Sequence, residues 1–325
     1  MTLIKDMAVG DEIVGFYLAK ELQVKQTNAT PNNPAKDYFD MVLADRSSQI
    51  EARFWEVSPT DKETFFPLDI VKVKATVTTY KDKVQLKITK IRKATEEDGY
   101  TLTDFIRSAP VQAVDLLHVI KTTAASIGNL TIRGIVEFAI AKVGDKLMHY
   151  PAAKTHHHAF YSGLAYHICR MLELGDFICR QRPFLNADLV KAGIILHDIA
   201  KTEEMEAELG IVSDYSLRGK LLGHIAISSL WIHEAAIQHG LSLDDENVLA
   251  LQHIVLSHHN KGEWGSPVQP QLPEAIALHY IDQLDAKLQA VEDAVDMAPV
   301  HENWTPKIRM LENQPIYIMR NKEGA

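Results

Sequence analysis

Hydrophobic and polar positions along the chain follow two different rhythms. Between Asp69 and Tyr80, "DIVKVKATVTTY" puts Val71, Val73, Ala75 and Val77 on one side and Lys72, Lys74, Thr76 and Thr78 on the other. A period of two belongs to a half-buried strand, because successive side chains of an extended backbone point to opposite faces. "EIVGFYLAKELQVK", "YFDMVLAD", "IEARFWEV" and "VQLKITKI" also read as strands, rich in β-formers. "RSSQ" and "KDK" supply turns, "SPTDKETFF" a short segment between the third and fourth strands, and "TPNNPAKD" a flexible loop before the second. About five strands so interrupted, within residues 1–95, predict a small closed barrel.

After "KATEEDGY" the rhythm changes, and from Leu102 to about Val295 the chain reads as successive helices. "LSLDDENVLALQHIVLSHHN" opens on a Ser242 and Asp245 capping pair and is followed by Gly262. "LPEAIALHYIDQLDAKLQAVEDAV" has Pro273 at a favoured first-turn position. The expected architecture is therefore multidomain. A small all-β barrel of the OB type occupies residues 1–95, and an all-α domain occupies 96–325, with its core at about 150–295. Residues 100–150 read as helical packing, and the terminal "QPIYIMRNKEGA" as a strand or a docking tail. There is no internal repeat.

Composition adds the compartment and the partner. The 325 residues are 46% hydrophobic and 24% charged, as in soluble globular proteins. No apolar run approaches the roughly 18 residues of a membrane span, and "MTLIKDMAVGDE" has no apolar signal core. Cys169 and Cys179 are the only cysteines, too few for a disulfide framework, so a cytoplasmic location and no membrane partner are expected. Net charge is −9 but uneven: 15 basic and 13 acidic residues in 1–95, 19 and 30 in the remainder. From Lys72 to Lys93 there are eight basic residues and one acid, Asp82. A local basic face with aromatic neighbours is how single-stranded nucleic acid is held. Lys72, Lys74, Lys83, Lys87 and Arg53 are the expected phosphate contacts, with Trp55 and Tyr80, beside Tyr38, as stacking surfaces.

The acidic half carries a different chemistry. "KAGIILHDIAKTEE" sets His197 and Asp198 in an apolar run, where a charged carboxylate is costly unless paired or metal-bound. His167 shares a face with Leu164, Ile168 and Met171, and Asp282 with Leu278, Ile281 and Asp285. His224 lies in "LLGHIAISSLW", and His258 and His259 end a helix as a pair. Inward His and Asp on several helices are how a bundle builds a metal site. Imidazole with carboxylate suits Mn, Fe, Zn and related ions, and a metal-held hydroxide suits attack on phosphorus.

"GLAYHICRM", "AGIILHDIAK", "LLGHIAIS", "VLSHHNKGEWGSP" and "PEAIALHYIDQLDAK" together resemble the HD superfamily of metal-dependent phosphohydrolases. The resemblance implies His167, His197, Asp198 and Asp282 as metal ligands, and His224, His258 and His259 as the extra histidines of two-metal members. It also implies Asp198 as the bridging, catalytic carboxylate and Lys201 as the contact to the substrate phosphate. No GYP signature follows the core, and Gly163 stands where some members place an acidic ligand. With the barrel ahead of it and "HHHAF..GLAYH" before the doublet, nearly the whole chain resembles the YhaM-type 3′-to-5′ exoribonucleases. Ser48 and Ala75 stand where such barrels often have Gly. The implied activity is metal-dependent hydrolysis of single-stranded RNA, and of single-stranded DNA as a second substrate, to nucleoside monophosphates. The implied cofactor is one or two divalent ions, Mn²⁺ first; His157 and His158 are expected near the substrate, and a homo-oligomer is compatible. Two rivals are an HD phosphodiesterase of small or cyclic nucleotides and a non-catalytic nucleic-acid-binding factor.

Overall fold

The computed structural model describes residues 2–29, 34–55, 57–81, 83–154 and 158–320. Parts of the "TPNNPAKD" loop and the "KDK" turn, and His157, therefore lie outside the described residues. The chain divides into two compact units, Met1–Ser108 and Ala109–Ala325.

In the first unit the alternating segments become β1 (Glu12–Gln26), β2 (Asp37–Ala44), β3 (Gln49–Trp55), β4 (Ile70–Tyr80) and β5 (Lys83–Lys93). They close in the order β1-β2-β3-β5-β4, with β4 back on β1. Only β3 and β5 run parallel. Closure is made by β1, which pairs with β4 through Glu12–Leu18 and with β2 through Leu18–Gln26. A bulge between Ala19 and Glu21 bends it from one neighbour to the other. The period of two then sorts side chains by environment: Val71, Val73, Ala75 and Val77 are buried in the barrel with Tyr17, Phe39 and Leu86, while Lys74 is exposed. Between β3 and β4 lies α1 (Pro59–Thr64), opened by a Ser58–Asp61 capping box. Phe65, just after it, meets Phe39 edge-on at 6.0 Å. The β2–β3 turn is fastened by Asp45, which accepts from the backbone N–H groups of Ser47 and Ser48, so the turn holds without glycine at Ser48. This is the expected five-stranded OB-like barrel.

The second unit is helical: α2 (Ala113–Ala125), α3 (Leu130–Val143), α4 (Gly163–Gln181), α5 (Ala187–Leu196), α6 (Lys201–Glu204), α7 (Leu217–Gln238), α8 (Glu246–Ser257) and α9 (Pro273–Met297). One continuous core joins them, with Ile135, Leu164, Ile194, Trp231, Ile254 and Leu278 at or below 1% exposure. Pro273 opens α9 as expected. The cap of α8 is Asp245 alone, accepting from the Asn247 N–H, because the helix begins at Glu246 and leaves Ser242 outside it. The helical run is also broken by a hairpin that the sequence pattern does not predict, β6 (Met205–Glu208) and β7 (Ile211–Tyr215). Its turn takes Leu209 and Gly210 to φ 52° and 75°, the sign a tight two-residue hairpin needs at both positions. Near the C-terminus, isolated bridges join Trp304 to Tyr317 and Ile308 to Gln314. Among the described residues no helix is long and apolar enough to cross a membrane.

Candidate metal centre and nucleic-acid face

Five helices bring the predicted set together. His167 comes from α4, His197 and Asp198 from the end of α5, His224 from α7, His258 and His259 from the end of α8, and Asp282 from α9. Asp198 is the hub: its Oδ1 lies 3.2 Å from His224 Nε2 and 3.8 Å from His258 Nε2, and its Oδ2 lies 3.4 Å from His197 Nε2. His167 Nε2 sits 3.3 Å from Asp282 Oδ1. Three groups among the described residues have their ligand atoms within 4.8 Å of one another: His167 with His197 and Asp282, His224 with His258 and His259, and His158 with His167 and Asp285, the last lying behind the predicted ligands.

The far side of each ring fixes how it points. His197 Nδ1 donates to the Ile194 carbonyl at 2.8 Å, His258 Nδ1 to Val255 at 2.7 Å, and His259 Nδ1 to Trp264 at 2.5 Å. His167 Nδ1 faces Asp285 at 2.7 Å, and His224 Nδ1 faces Glu204 at 3.0 Å. Each Nε2 is thus left to aim inward, the outer-partner arrangement of metal-bound imidazoles. Among the described residues, the Nε2 atoms of His197, His224 and His258 and Asp198 Oδ1 are buried with no hydrogen-bond partner. Buried acceptors facing one another are repulsive without a cation between them, so these donors fit a divalent ion.

Protonation agrees. Burial, with the neighbouring histidines, holds His258 well below the usual imidazole range, and burial likewise lowers His197 and His259. Burial alone would raise Asp198, but Lys201, His197 and His224 hold it well below the carboxylate range. Burial opposes charge on His167, yet Asp282 and Asp285 on either side push it up to about 9: this pair of carboxylates calls for positive charge at that point.

Three supporting residues were not singled out by the motifs. Asp285, nearly fully buried, holds His167 and also meets His158 Nε2 at 2.7 Å and Arg170 Nε at 3.5 Å. Glu204 meets both the backbone N–H and Nδ1 of His224. His279 Nδ1 donates to the His258 carbonyl at 2.7 Å. His158, expected beside the substrate, is fully buried and engaged with Asp285, which puts it behind His167 rather than on an open surface. Gly163 explains the missing acidic ligand. A Cβ there would meet the His158 carbonyl oxygen at 2.0 Å, so the backbone of the preceding loop fills the space a side chain would need. Lys201 donates to Asp198 at 2.6 Å with its side chain only 12% exposed. Trp264, half exposed at the turn that anchors His259, carries the Lys261 ammonium 4.6 Å from its ring centre.

On the barrel, the predicted contacts fall on opposite ends of the β4–β5 ribbon. Trp55 (39% exposed) lies against Tyr38 at 4.6 Å, and Tyr80 (51% exposed) lies under the Arg53 guanidinium at 5.1 Å. Arg53 pairs with Asp40 and stands opposite Lys87 on β5. Lys83 pairs loosely with Glu51. That aromatic end uses β2, β3 and the β4–β5 turn, the side by which OB barrels take oligonucleotides. Lys72 and Lys74 stand at the other end, opposite Arg92 and Lys90.

Comparison with known proteins agrees with this geometry. An HD domain family profile matches residues 164–287. The 3′-5′ exoribonuclease YhaM of Geobacillus sp. (strain WCH70) is 40% identical over 309 residues, 95% of this chain and 92% of that protein. The namesake from Shouchella clausii is 39% identical over 97% of this chain and 95% of its own. That from Bacillus subtilis is 38% identical over 94% and 95%. Among solved structures, an OB domain from Thermoplasma acidophilum overlays at TM-score 0.24 and 12% identity, covering 29% of this chain and 84% of that one, too slight a likeness to argue from. With a five-stranded barrel, an HD domain and relatives alike over nearly their full length, the chain belongs to the YhaM family of 3′-5′ exoribonucleases.

Proposed function

We propose that this protein is a cytoplasmic, divalent-metal-dependent phosphodiesterase that shortens single-stranded RNA from its 3′ end and releases nucleoside monophosphates. The observation that carries the reading is the inward convergence of His197, His224 and His258 Nε2 on the Asp198 carboxylate, with the three Nε2 atoms and Asp198 Oδ1 buried and without hydrogen-bond partners. RNA as substrate and the direction of attack come from the named activity of the relatives.

His167, His197 and Asp282 would hold one ion and His224, His258 and His259 a second, with Asp198 between them; Mn²⁺ is the ion we propose. A divalent ion there supplies Lewis acidity at a phosphoryl oxygen and lowers the pKa of bound water. The chain's own residues do the rest. Lys201 rests on Asp198 at the rim and is within reach of a phosphate whose charge grows during the reaction. Trp264 offers the terminal base a flat surface beside His259. The barrel takes the body of the strand by stacking and phosphate contact, which read neither base nor sugar, so single-stranded DNA is a second ligand.

The test is a time course on a 5′-labelled single-stranded RNA with Mn²⁺, comparing wild type with Asp198→Ala. A ladder shortening from the 3′ end, abolished by the substitution and by EDTA, is expected. Equal cleavage by both proteins would remove Asp198 from the site, and intact RNA with wild type would sink the exonuclease reading.

A further inference from the structure

On the barrel's outer face, two neighbouring rows cross β1, β4 and β5. One row is Val14, Lys74 and Lys90; the other is Phe16, Lys72 and Arg92. Each row therefore sets two cations directly opposite each other on adjacent strands, an arrangement that destabilises a sheet. Arg92 is tied to Asp98 by two hydrogen bonds of 2.6 and 2.8 Å. Among the described residues Lys72, Lys74 and Lys90 have no carboxylate within ion-pair reach. Lys72 and Arg92 stand over the Phe16 ring at 4.8 and 5.8 Å, which holds them in place. Val14, 60% exposed, floors a notch of about 410 Å³ between the rows.

Lys74 and Lys90 are opposed with no counter-charge, and Lys72 adds a third cation beside an Arg92 that Asp98 balances, a surplus that costs stability unless an anion settles on it. The rows are two residues apart along the strand, about 7 Å, so the cations can follow successive phosphates of an extended strand. The Phe16 ring carries Lys72 and Arg92 and packs beside Tyr100 at 6.3 Å, so this face leads with cations rather than with an open ring. The other end of the ribbon differs in having Trp55, 39% exposed and set against Tyr38, beside a Tyr80 that carries its own cations, Arg53 and Lys81. We infer that this β1–β4–β5 face is a second RNA surface, which grips the phosphate backbone without reading bases and takes nucleotides beyond those stacked at the aromatic end. The inference rests on the proposal that the protein acts on RNA.

The experiment uses the full chain in EDTA, so that binding is read without cleavage. Anisotropy titrations over a range of salt compare wild type with Lys74→Gln/Lys90→Gln. The probes are a labelled single-stranded RNA of about twenty nucleotides and one of about four, the lower end of OB site sizes. Losing two phosphate contacts lowers the slope of log K against log salt by about 1.4 on the long RNA, with weaker binding at low salt and a smaller change on the short RNA. An unchanged slope on the long RNA, in a variant that melts no lower than wild type, overturns the second surface. Loss of sedimentation with anionic phosphatidylserine vesicles, at an unchanged RNA slope, overturns it in favour of a membrane. The nuclease reading is judged separately with Mn²⁺. Wild type that binds long RNA through this face but leaves it intact would refute the activity and keep the surface.

Discussion

Asp285 receives His167 and His158, both at 2.7 Å, and Glu204 receives His224 through both ring and backbone. Each carboxylate serves one of the two candidate ligand groups, so each should tune one ion alone. Outer partners of metal-bound histidines are typically worth 10–100-fold in metal affinity. Glu204→Ala is expected to weaken by about that factor the ion held by His224, His258 and His259, leaving the His167 group near wild type; Asp285→Ala should do the reverse. Calorimetric Mn²⁺ titration checks this: two binding steps in wild type, with a different step lost in each variant. Loss of the same step in both would mean one shared ion. Asp285 was legible in the sequence to the extent that it lies three residues after Asp282 on the same inward face of a helix. Glu204 was not. It meets His224 across 20 residues, and nothing periodic in "KTEE" marks it. The burial of His158 depends on a loop laid over Gly163, a contact no local pattern encodes.

At the scale of elements, α7 shows how a motif residue is aimed. The helix is interrupted at Gly223, whose φ of 72° and ψ of 159° fall in a region that is essentially glycine's alone. The break turns the His224 N–H out of the helical ladder and onto Glu204, and the imidazole follows it toward Asp198. Gly223→Ala would carry roughly 1–3 kcal/mol of backbone strain or straighten the helix. Either way His224 loses its aim. Expected are weaker binding of the ion at the His224 group and little change in far-UV circular dichroism; unchanged metal affinity would show that the break is incidental. Glycine in "LLGHIAIS" reads from sequence only as a weak spot in a helix. Strands and long helices were legible because each repeats one environment many times: β4 alternates from Ile70 to Thr78 and α9 keeps its inward stripe from Glu274 to Ala294. The β6–β7 hairpin, of four and five residues, repeats too little to stand out from the helices around it.

At the scale of the molecule, the charge asymmetry divides labour between the two units. Residues 1–95 carry a surplus of basic side chains, and every candidate metal ligand lies in the acidic unit. Metal should therefore stabilise one unit and leave the other alone. An ion that binds only the folded state adds about 2.7 kcal/mol when free metal is 100 times its dissociation constant. For a helical unit of this size that is worth roughly 5–10 °C in melting temperature. Stripping the ion also leaves Asp198, Asp282 and Asp285 buried among histidines, with Lys201 and Arg170, among the described residues, the two fixed cations that face them. Hydrogen exchange followed by peptide mass analysis can read the two units apart in the intact chain. EDTA is expected to speed exchange in peptides of α4, α5, α7, α8 and α9, where the ligands converge, and to leave the strands β1 to β5 unchanged. Faster exchange in the strands as well would mean that metal acts beyond the helical unit. No change anywhere would remove the metal from the fold's stability, and with it the main reason these polar groups are tolerated in the interior.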